Sequence, residues 1–406
     1  MTDLAPTSST ERHDVLDALR GFALFGILLA NIQVFSGWAF SGPATRSELS
    51  GSNYVIWDFL HLAVIDGKFY TLFAFLFGLG FALQLERLDA RGAAAASIFR
   101  RRTAILLCFG LIHLFVFWVG DILTPYALLG FVLLAVRKWQ DRTLLIVAGL
   151  AFFFPIAGYL LFWMLGLPPS LGLYEISYSL MPTGAQDPLV DLRLTGWDDR
   201  LQSSMALGIL RFGHLFDTWR WPKLLCIMLL GLWAGRRLVR GELLENRRLL
   251  FRVLVIGALS GGIAGPIMAH LGGLGFDQAH STDGLFAVIA YTFAVIPLGI
   301  AYAAGFVLLW QKAAPLLQVL AAPGRMALTN YLGQTVIALT VFYGIGLNQA
   351  GLWSIQALIA FASAVYAAQV VFSHLWLKSF QYGPMEWLWR ALTYGSAPRL
   401  RHPMPT

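Results

Sequence analysis

The sequence predicts an all-α polytopic membrane protein, with about ten transmembrane helices and both termini cytoplasmic. Three observations carry this. Hydrophobic residues make up 58% of the 406, against roughly 45–50% in soluble domains. Charged residues are 13%, about half the soluble average of roughly 25%. The basic residues gather on one side of the apolar segments they flank. A water-soluble globule of this length could not hide so much apolar surface, so the excess must face lipid. Scattered glycines and an aromatic content of 14% exclude a fibrous or disordered chain.

A spanning helix needs about 20 mostly apolar residues. Such segments run approximately over Gly21–Phe40, Phe69–Leu85, Thr103–Val119, Ile122–Val136, Thr143–Gly166, Trp221–Gly235, Leu250–Leu271, Leu285–Trp310, Met326–Leu347 and Ser354–Ser373. With the N-terminus inside, Arg46, Lys68, Arg193, Arg200, Arg211, Arg220 and Lys223 fall outside, and the other 22 of the 29 Lys and Arg, Arg12 and Arg91 among them, fall inside. That bias is the positive-inside rule, and it favours an even number of crossings. It also assigns the net charge of +7 to cytoplasmic loops rather than to nucleic-acid binding. The first 16 residues are polar and the first apolar run exceeds a signal-peptide core, so that run reads as the first membrane helix.

The chain therefore reads as one transmembrane domain over 1–406. Long outer loops cover 41–68 and 167–220, and a short cytoplasmic interfacial helix lies near 384–394. The loop 167–220 begins with Pro168, Pro169, Pro182 and Pro188, then alternates at helical spacing from Leu201 to Asp217, as a helix on the outer surface would. Cys108 and Cys226 sit in apolar runs and read as buried apolar cysteines with no required disulfide. Ligand spacings for a metal are absent.

Polar groups at membrane depth are costly and mark candidate sites. Asp17 and Arg20 are three apart and can pair; Asn31 falls on the same stripe three turns on. Gly120-Asp121 turns the third helix into the fourth. Counting about 1.5 Å per residue from Arg102 and Arg137, the turn barely reaches the outer edge of a core about 30 Å thick. Asp121 and His113 then lie in a recess, where a carboxylate and an imidazole can do acid–base work. The competing reading is structural: His113 bonding a neighbouring helix, and Asp121 capping the fourth. Lys68, after Asp66-Gly67, and His61 are further outer candidates for acceptor binding. Towards the inside, Asn330 and Gln334 share a helix face just after Pro323-Gly324-Arg325. Glu386 and Arg390 form an i,i+4 pair in Gly383-Pro384-Met385-Glu386-Trp387-Leu388-Trp389-Arg390. Gly78-Leu79-Gly80 reads as a close helix contact.

Several of these motifs occur together in a known family. Leu16-Asp17-Ala18-Leu19-Arg20-Gly21-Phe22-Ala23-Leu24 with Asn31, Gly67-Lys68-Phe69, Gly120-Asp121-Ile122-Leu123, Gly324-Arg325-Met326-Ala327-Leu328-Thr329-Asn330-Tyr331 and Gly383 to Arg390 resemble the YeiB-like membrane proteins. Those are catalogued as domain of unknown function 418. That family is similar in turn to transmembrane acyltransferases, heparan-α-glucosaminide N-acetyltransferase among them. The resemblance implies a multi-pass protein of the bacterial cytoplasmic (inner) membrane. It would move an acyl group from cytoplasmic acyl-CoA or acetyl-CoA, without a metal, to a small-molecule or glycan acceptor outside.

By this resemblance Arg20, Arg325, Asn330, Gln334, Glu386 and Arg390 would receive the acyl-CoA, its phosphates being drawn to arginine. Asn31, Lys68 and His61 would hold the acceptor, and His113 with Asp121 would be catalytic. The N-acetyltransferase carries a histidine in the outer loop after its asparagine, whereas Ile32 to Pro43 holds none here. Partners of the chain are the lipid bilayer and, as a candidate assembly, a homodimer. A small-metabolite transporter and a non-catalytic membrane partner protein are the alternatives for the same polar clusters.

Overall fold

The structure, a computed structural model, describes residues 14–90, 95–168, 170, 172–273 and 280–402; Arg12, Arg91 and Pro169 lie outside them. The principal helices are α1 (Asp14–Phe35), α2 (Lys68–Ala90), α3 (Ala95–Ile112), α4 (Leu123–Val136), α5 (Asp141–Leu165), α6 (Trp197–Asp217), α7 (Arg220–Val239), α8 (Arg247–His270), α9 (Thr282–Leu317), α10 (Ala327–Phe342), α11 (Ile355–Ser379) and α12 (Pro384–Tyr394). A helix stands at each of the ten apolar segments. Among the described residues, six helical runs are long and apolar enough to cross a bilayer: α1, Pro43–Leu88, α5, α8, Thr282–Arg325 and α11. The protein is thus an all-helical, multi-pass membrane protein. α4 and α10 are shorter apolar helices.

Burial sorts the helices into a centre and a rim. The apolar windows of α1 and of the α9 run are each 67% buried, whereas those of α8 and α11 are 28% buried. The outer helices turn Leu150, Ile256, Ile263 and Val371 outwards, as lipid-facing positions must. Glycines bring the central helices together. A Cβ at Gly78 would run into the Met228 carbonyl, and one at Gly231 into the Phe75 carbonyl, so α2 and α7 touch backbone to backbone. Gly324 does the same between the short helix Ala321–Arg325 and the Asp17 carbonyl of α1, and Gly21 between α1 and the carbonyl of Leu320, the N-cap of that helix.

Three expectations are corrected. The outer stretch 41–68 is mostly helical, through Pro43–Ser50, Tyr54–Leu60 and a π-helical turn at His61–Ile65, and it exposes Val55, Ile56 and Trp57. The helix foreseen from Leu201 to Asp217 forms as α6, but inverted. Arg200, Ser203, Arg211 and His214 face the protein, while Trp197, Leu201 and Met205 are exposed. Its polar side finds partners below, Arg200 pairing with Asp191 at 2.9 Å. Finally, Cys226 is buried but Cys108 is exposed; neither is in a disulfide.

Candidate functional site

Two polar centres lie within the helical bundle. The first is a cavity of about 330 Å³. It forms where the N-terminal ends of α1, α3 and α10, the C-terminal half of α2, and α12 converge. Arg20, Arg325, Glu386 and Arg390 line it, as foreseen. Arg87 and Arg102 line it as well; sequence reasoning had counted them only as cytoplasmic charges. Phe73, Phe77, Phe81, Leu106 and Tyr126 add an apolar lining, and Tyr331 also lines it.

Local structure holds each of these groups. Arg20 pairs with Asp17 at 2.6 Å, one turn earlier on α1. Gly80 opposite makes room, since a Cβ there would lie 3.3 Å from Arg20 Nη2. The Arg102 guanidinium stacks on Trp389, 3.8 Å from the ring centroid, and Trp389 Nε1 donates to the Arg102 carbonyl at 2.9 Å. Arg390 stacks on Tyr382. The Glu386 carboxylate accepts from Leu328 N at 2.7 Å, Thr329 N at 3.1 Å and Thr329 Oγ1 at 2.6 Å, so α12 caps the first turn of α10. Burial pushes the Glu386 carboxyl above the usual carboxylate range, and the bonds from Thr329 and Leu328 pull it back only in part.

Asn330 and Gln334 are placed elsewhere. Asn330 Nδ2 donates to Ser373 Oγ at 3.0 Å, Gln334 Nε2 to Gln369 Oε1 at 2.9 Å, and Gln369 Nε2 to the Asn330 carbonyl at 2.8 Å. They tie α10 to α11. Neither lines the arginine-rich cavity.

The second centre is the His113–Asp121 pair. Nδ1 of His113 lies 2.9 Å from Asp121 Oδ1, and Nε2 lies 3.0 Å from Thr335 Oγ1 on α10. His113 opens a π-helical turn, His113–Phe117, closed by Trp118 N donating to the His113 carbonyl at 2.7 Å. That wider turn brings residues eight apart together. Asp121 also accepts from Leu123 N and Thr124 N, at 3.1 and 2.7 Å. Asp121 thus caps α4, as its structural reading has it, and holds the imidazole as well. The pair is enclosed, with His113 2% exposed and Asp121 0%. The expected recess is roofed by α6, whose Arg211 Nη2 donates to the Asp121 carbonyl at 3.3 Å. The Tyr331 ring, which lines the cavity, lies 5.3 Å from the imidazole.

A carboxylate, an imidazole and a hydroxyl in a row can move a proton, with the carboxylate fixing which nitrogen carries it. Thr335 was missed because a threonine in an apolar run carries no signal of its own. Lys68 and His61 lie near each other. Lys68 is 0% exposed and its Nζ donates to the Leu62 carbonyl at 2.6 Å. His61 Nε2 is buried without a partner, and Asn31 is half-buried on α1. Among the described residues no group of three or more His, Cys, Asp or Glu could hold a metal ion.

Comparison with known proteins is consistent along the whole chain. It is 34% identical to the uncharacterized protein YxaH of Bacillus subtilis strain 168, over 97% of each chain. It is 31% identical to the uncharacterized protein YeiB of Escherichia coli K12, over 95% of this chain and 97% of that one. An uncharacterized 39.9 kDa protein of Bacillus acidopullulyticus is 30% identical over 96% of each. Residues 234–396 match the family described as "Protein of unknown function (DUF418)". The chain belongs to this YeiB-like DUF418 family of multi-pass membrane proteins.

Proposed function

We propose that this protein is a membrane acyltransferase of the bacterial inner membrane. It takes an acyl group from cytoplasmic acyl-CoA and passes it to an extracytoplasmic small-molecule or glycan acceptor. In this reading the chain crosses the bilayer ten times with both ends in the cytoplasm.

The observation that carries the proposal is the cavity. Five arginines (Arg20, Arg87, Arg102, Arg325 and Arg390) line it together with apolar side chains, and so does Tyr331, whose ring lies 5.3 Å from that of His113. Guanidinium groups suit phosphates, and a group of them suits a ligand carrying several. The apolar stretch between Phe73 and Leu106 suits a pantetheine arm and its acyl chain. His113, oriented by Asp121, would act as general base. It would take the proton from an acceptor hydroxyl or amine as that group attacks the thioester carbonyl, and the proton would leave with the thiol. Movement of Tyr331 would bring the thioester to the imidazole.

Acyl-CoA binding to the purified protein by calorimetry, followed by transfer of a labelled acyl group by wild type and His113→Gln, tests this. Expected are saturable binding, and transfer that His113→Gln lowers by about 10²–10⁴-fold. Absence of binding at millimolar acyl-CoA overturns it. Flux of a metabolite through proteoliposomes without a covalent product would favour a transporter instead.

A further inference from the structure

A third polar centre lies at the junction of α6 and α7, and the acyl-transfer reading does not use it. Three cations meet there: Arg211 on α6, and Arg220 and Lys223 in the first turn of α7. Lys223 is 1% exposed and Arg211 8%. None of the three forms an ion pair with a carboxylate among the described residues. Arg211 reaches only the Asp121 carbonyl. Arg220 stacks on Tyr70, 4.6 Å from its centroid, and the Lys223 ammonium sits 3.9 Å over Tyr291.

The polar atoms around them are poorly satisfied too. The Tyr70 and Tyr291 hydroxyls lie beside one another and beside Arg220. Both are buried without a hydrogen bond of good geometry, as are Nε of Arg211 and Nε of Arg220. The facing carboxylates are Asp66, in electrostatic range of Arg220, Lys223 and Lys68, and Asp121, in range of Arg211. Four cations, counting Lys68, thus face two carboxylates. The backbone is bent to build this arrangement. Trp219, between the helices, is held at φ 54 and ψ 33, a left-handed conformation that is rare for a large side chain, with its ring packed against Phe154 and Phe162.

Uncompensated buried charge costs several kcal/mol per ion. A water molecule could serve the hydroxyls but could not balance the charge. What the centre lacks is negative charge on acceptor oxygens. We propose that the α6–α7 junction, formed by Arg211, Arg220, Lys223, Tyr70 and Tyr291, binds an oxyanion, the phosphate or carboxylate group of a small ligand. Naming that ligand the acyl acceptor rests on the reading above; the site itself does not.

The test uses the full-length protein in phosphatidylcholine nanodiscs, with no acyl donor present. Thermal unfolding is followed in inorganic phosphate, in acetate and in chloride at matched ionic strength. Phosphate or acetate is expected to raise the melting temperature of wild type above its value in chloride. Lys223→Met and Arg220→Met should each weaken that effect tenfold or more in apparent Kd. Neither should melt lower than wild type in chloride, because each removes one of four cations that share two carboxylates. Nanodiscs containing phosphatidylglycerol distinguish the source: if they stabilise wild type but neither variant, the oxyanion is a lipid headgroup in the same site. Three results overturn the proposal: no anion-dependent shift in wild type, a shift that survives in both variants, or variants that melt lower in chloride. Since no donor is present, failure here leaves acyl-CoA binding intact, and the converse holds.

Discussion

The Tyr331 ring lies 5.3 Å from the His113 imidazole and forms the cavity wall on that side. Removing it should connect two compartments that are now separate. In Tyr331→Ala, His113 is expected to react with a histidine-directed acylating reagent. In wild type, where His113 is 2% exposed, it should be protected. Mass spectrometry reads the modification site by site, with exposed His270 as internal reference. Truncating a large buried aromatic also costs about 3–5 kcal/mol, so the variant should melt earlier. Wild-type His113 reacting as fast as His270 would refute the enclosure.

Asp121 serves two masters, and its substitutions should separate them. Asp121→Ala removes the partner of His113 and the acceptor for two α4 amides at once. Leaving buried donors unpaired costs about 1–3 kcal/mol, which denaturation would show. Asp121→Asn keeps one acceptor oxygen for the cap, so it should fold close to normally while losing imidazole orientation. Under the proposed function its acyl transfer should fall with His113→Gln, though its stability does not. Thr335→Val tests the other end of the chain. If Thr335 only positions the imidazole, transfer falls and Thr335→Ser restores it.

Much of this geometry was legible in the sequence where it depends on local spacing. Asp17 and Arg20 are one turn apart, and they pair. His113 and Asp121 flank a tight hairpin, and they meet. Charge bias and apolar runs located the helices. What stayed hidden depends on tertiary burial. Asn330 and Gln334 do share a face, but i,i+4 spacing cannot tell which neighbour that face meets, and it is α11 rather than the cavity. Arg102 ends the run Arg100-Arg101-Arg102; only its position facing Trp389 turns it inwards. Arg211 and Lys223 read as outer-side charges, because hydropathy cannot foresee that α6 turns its polar side towards the protein.

The cavity arginines should not contribute equally to anion binding. Arg102 has its guanidinium over the Trp389 ring, 3.8 Å from the centroid, which holds it in place before any ligand arrives. Arg102→Lys keeps the charge but loses the stack and the planar fork. Under the proposed function it is expected to weaken acyl-CoA binding almost as much as Arg102→Ala, by about tenfold, or ~1.4 kcal/mol. Calorimetry with acyl-CoA and with desphospho analogues would show it. The analogues should bind wild type and both variants alike. A lysine variant that binds as tightly as wild type would leave the stack without a role.

Glu386 should make stability depend on pH. Its carboxyl is raised above the usual range by burial at the α10–α12 contact. Between the unfolded value, near pH ~4.3, and the raised folded value, the folded chain holds a proton that the unfolded chain has released. Stability from this group is therefore complete below that lower pH and falls as pH rises through the folded value. Glu386→Gln cannot titrate. Its amide oxygen can still accept from Leu328 N and Thr329 N, and its amide nitrogen can donate to Thr329 Oγ1, so the cap survives. Thermal unfolding of the two proteins from pH ~4 to pH ~7 should show wild type losing ground to Glu386→Gln as pH rises. Glu386→Ala should instead sit about 1–3 kcal/mol lower throughout, its cap donors left unpaired. Parallel curves for wild type and the glutamine variant would mean that the carboxyl is already charged across this range.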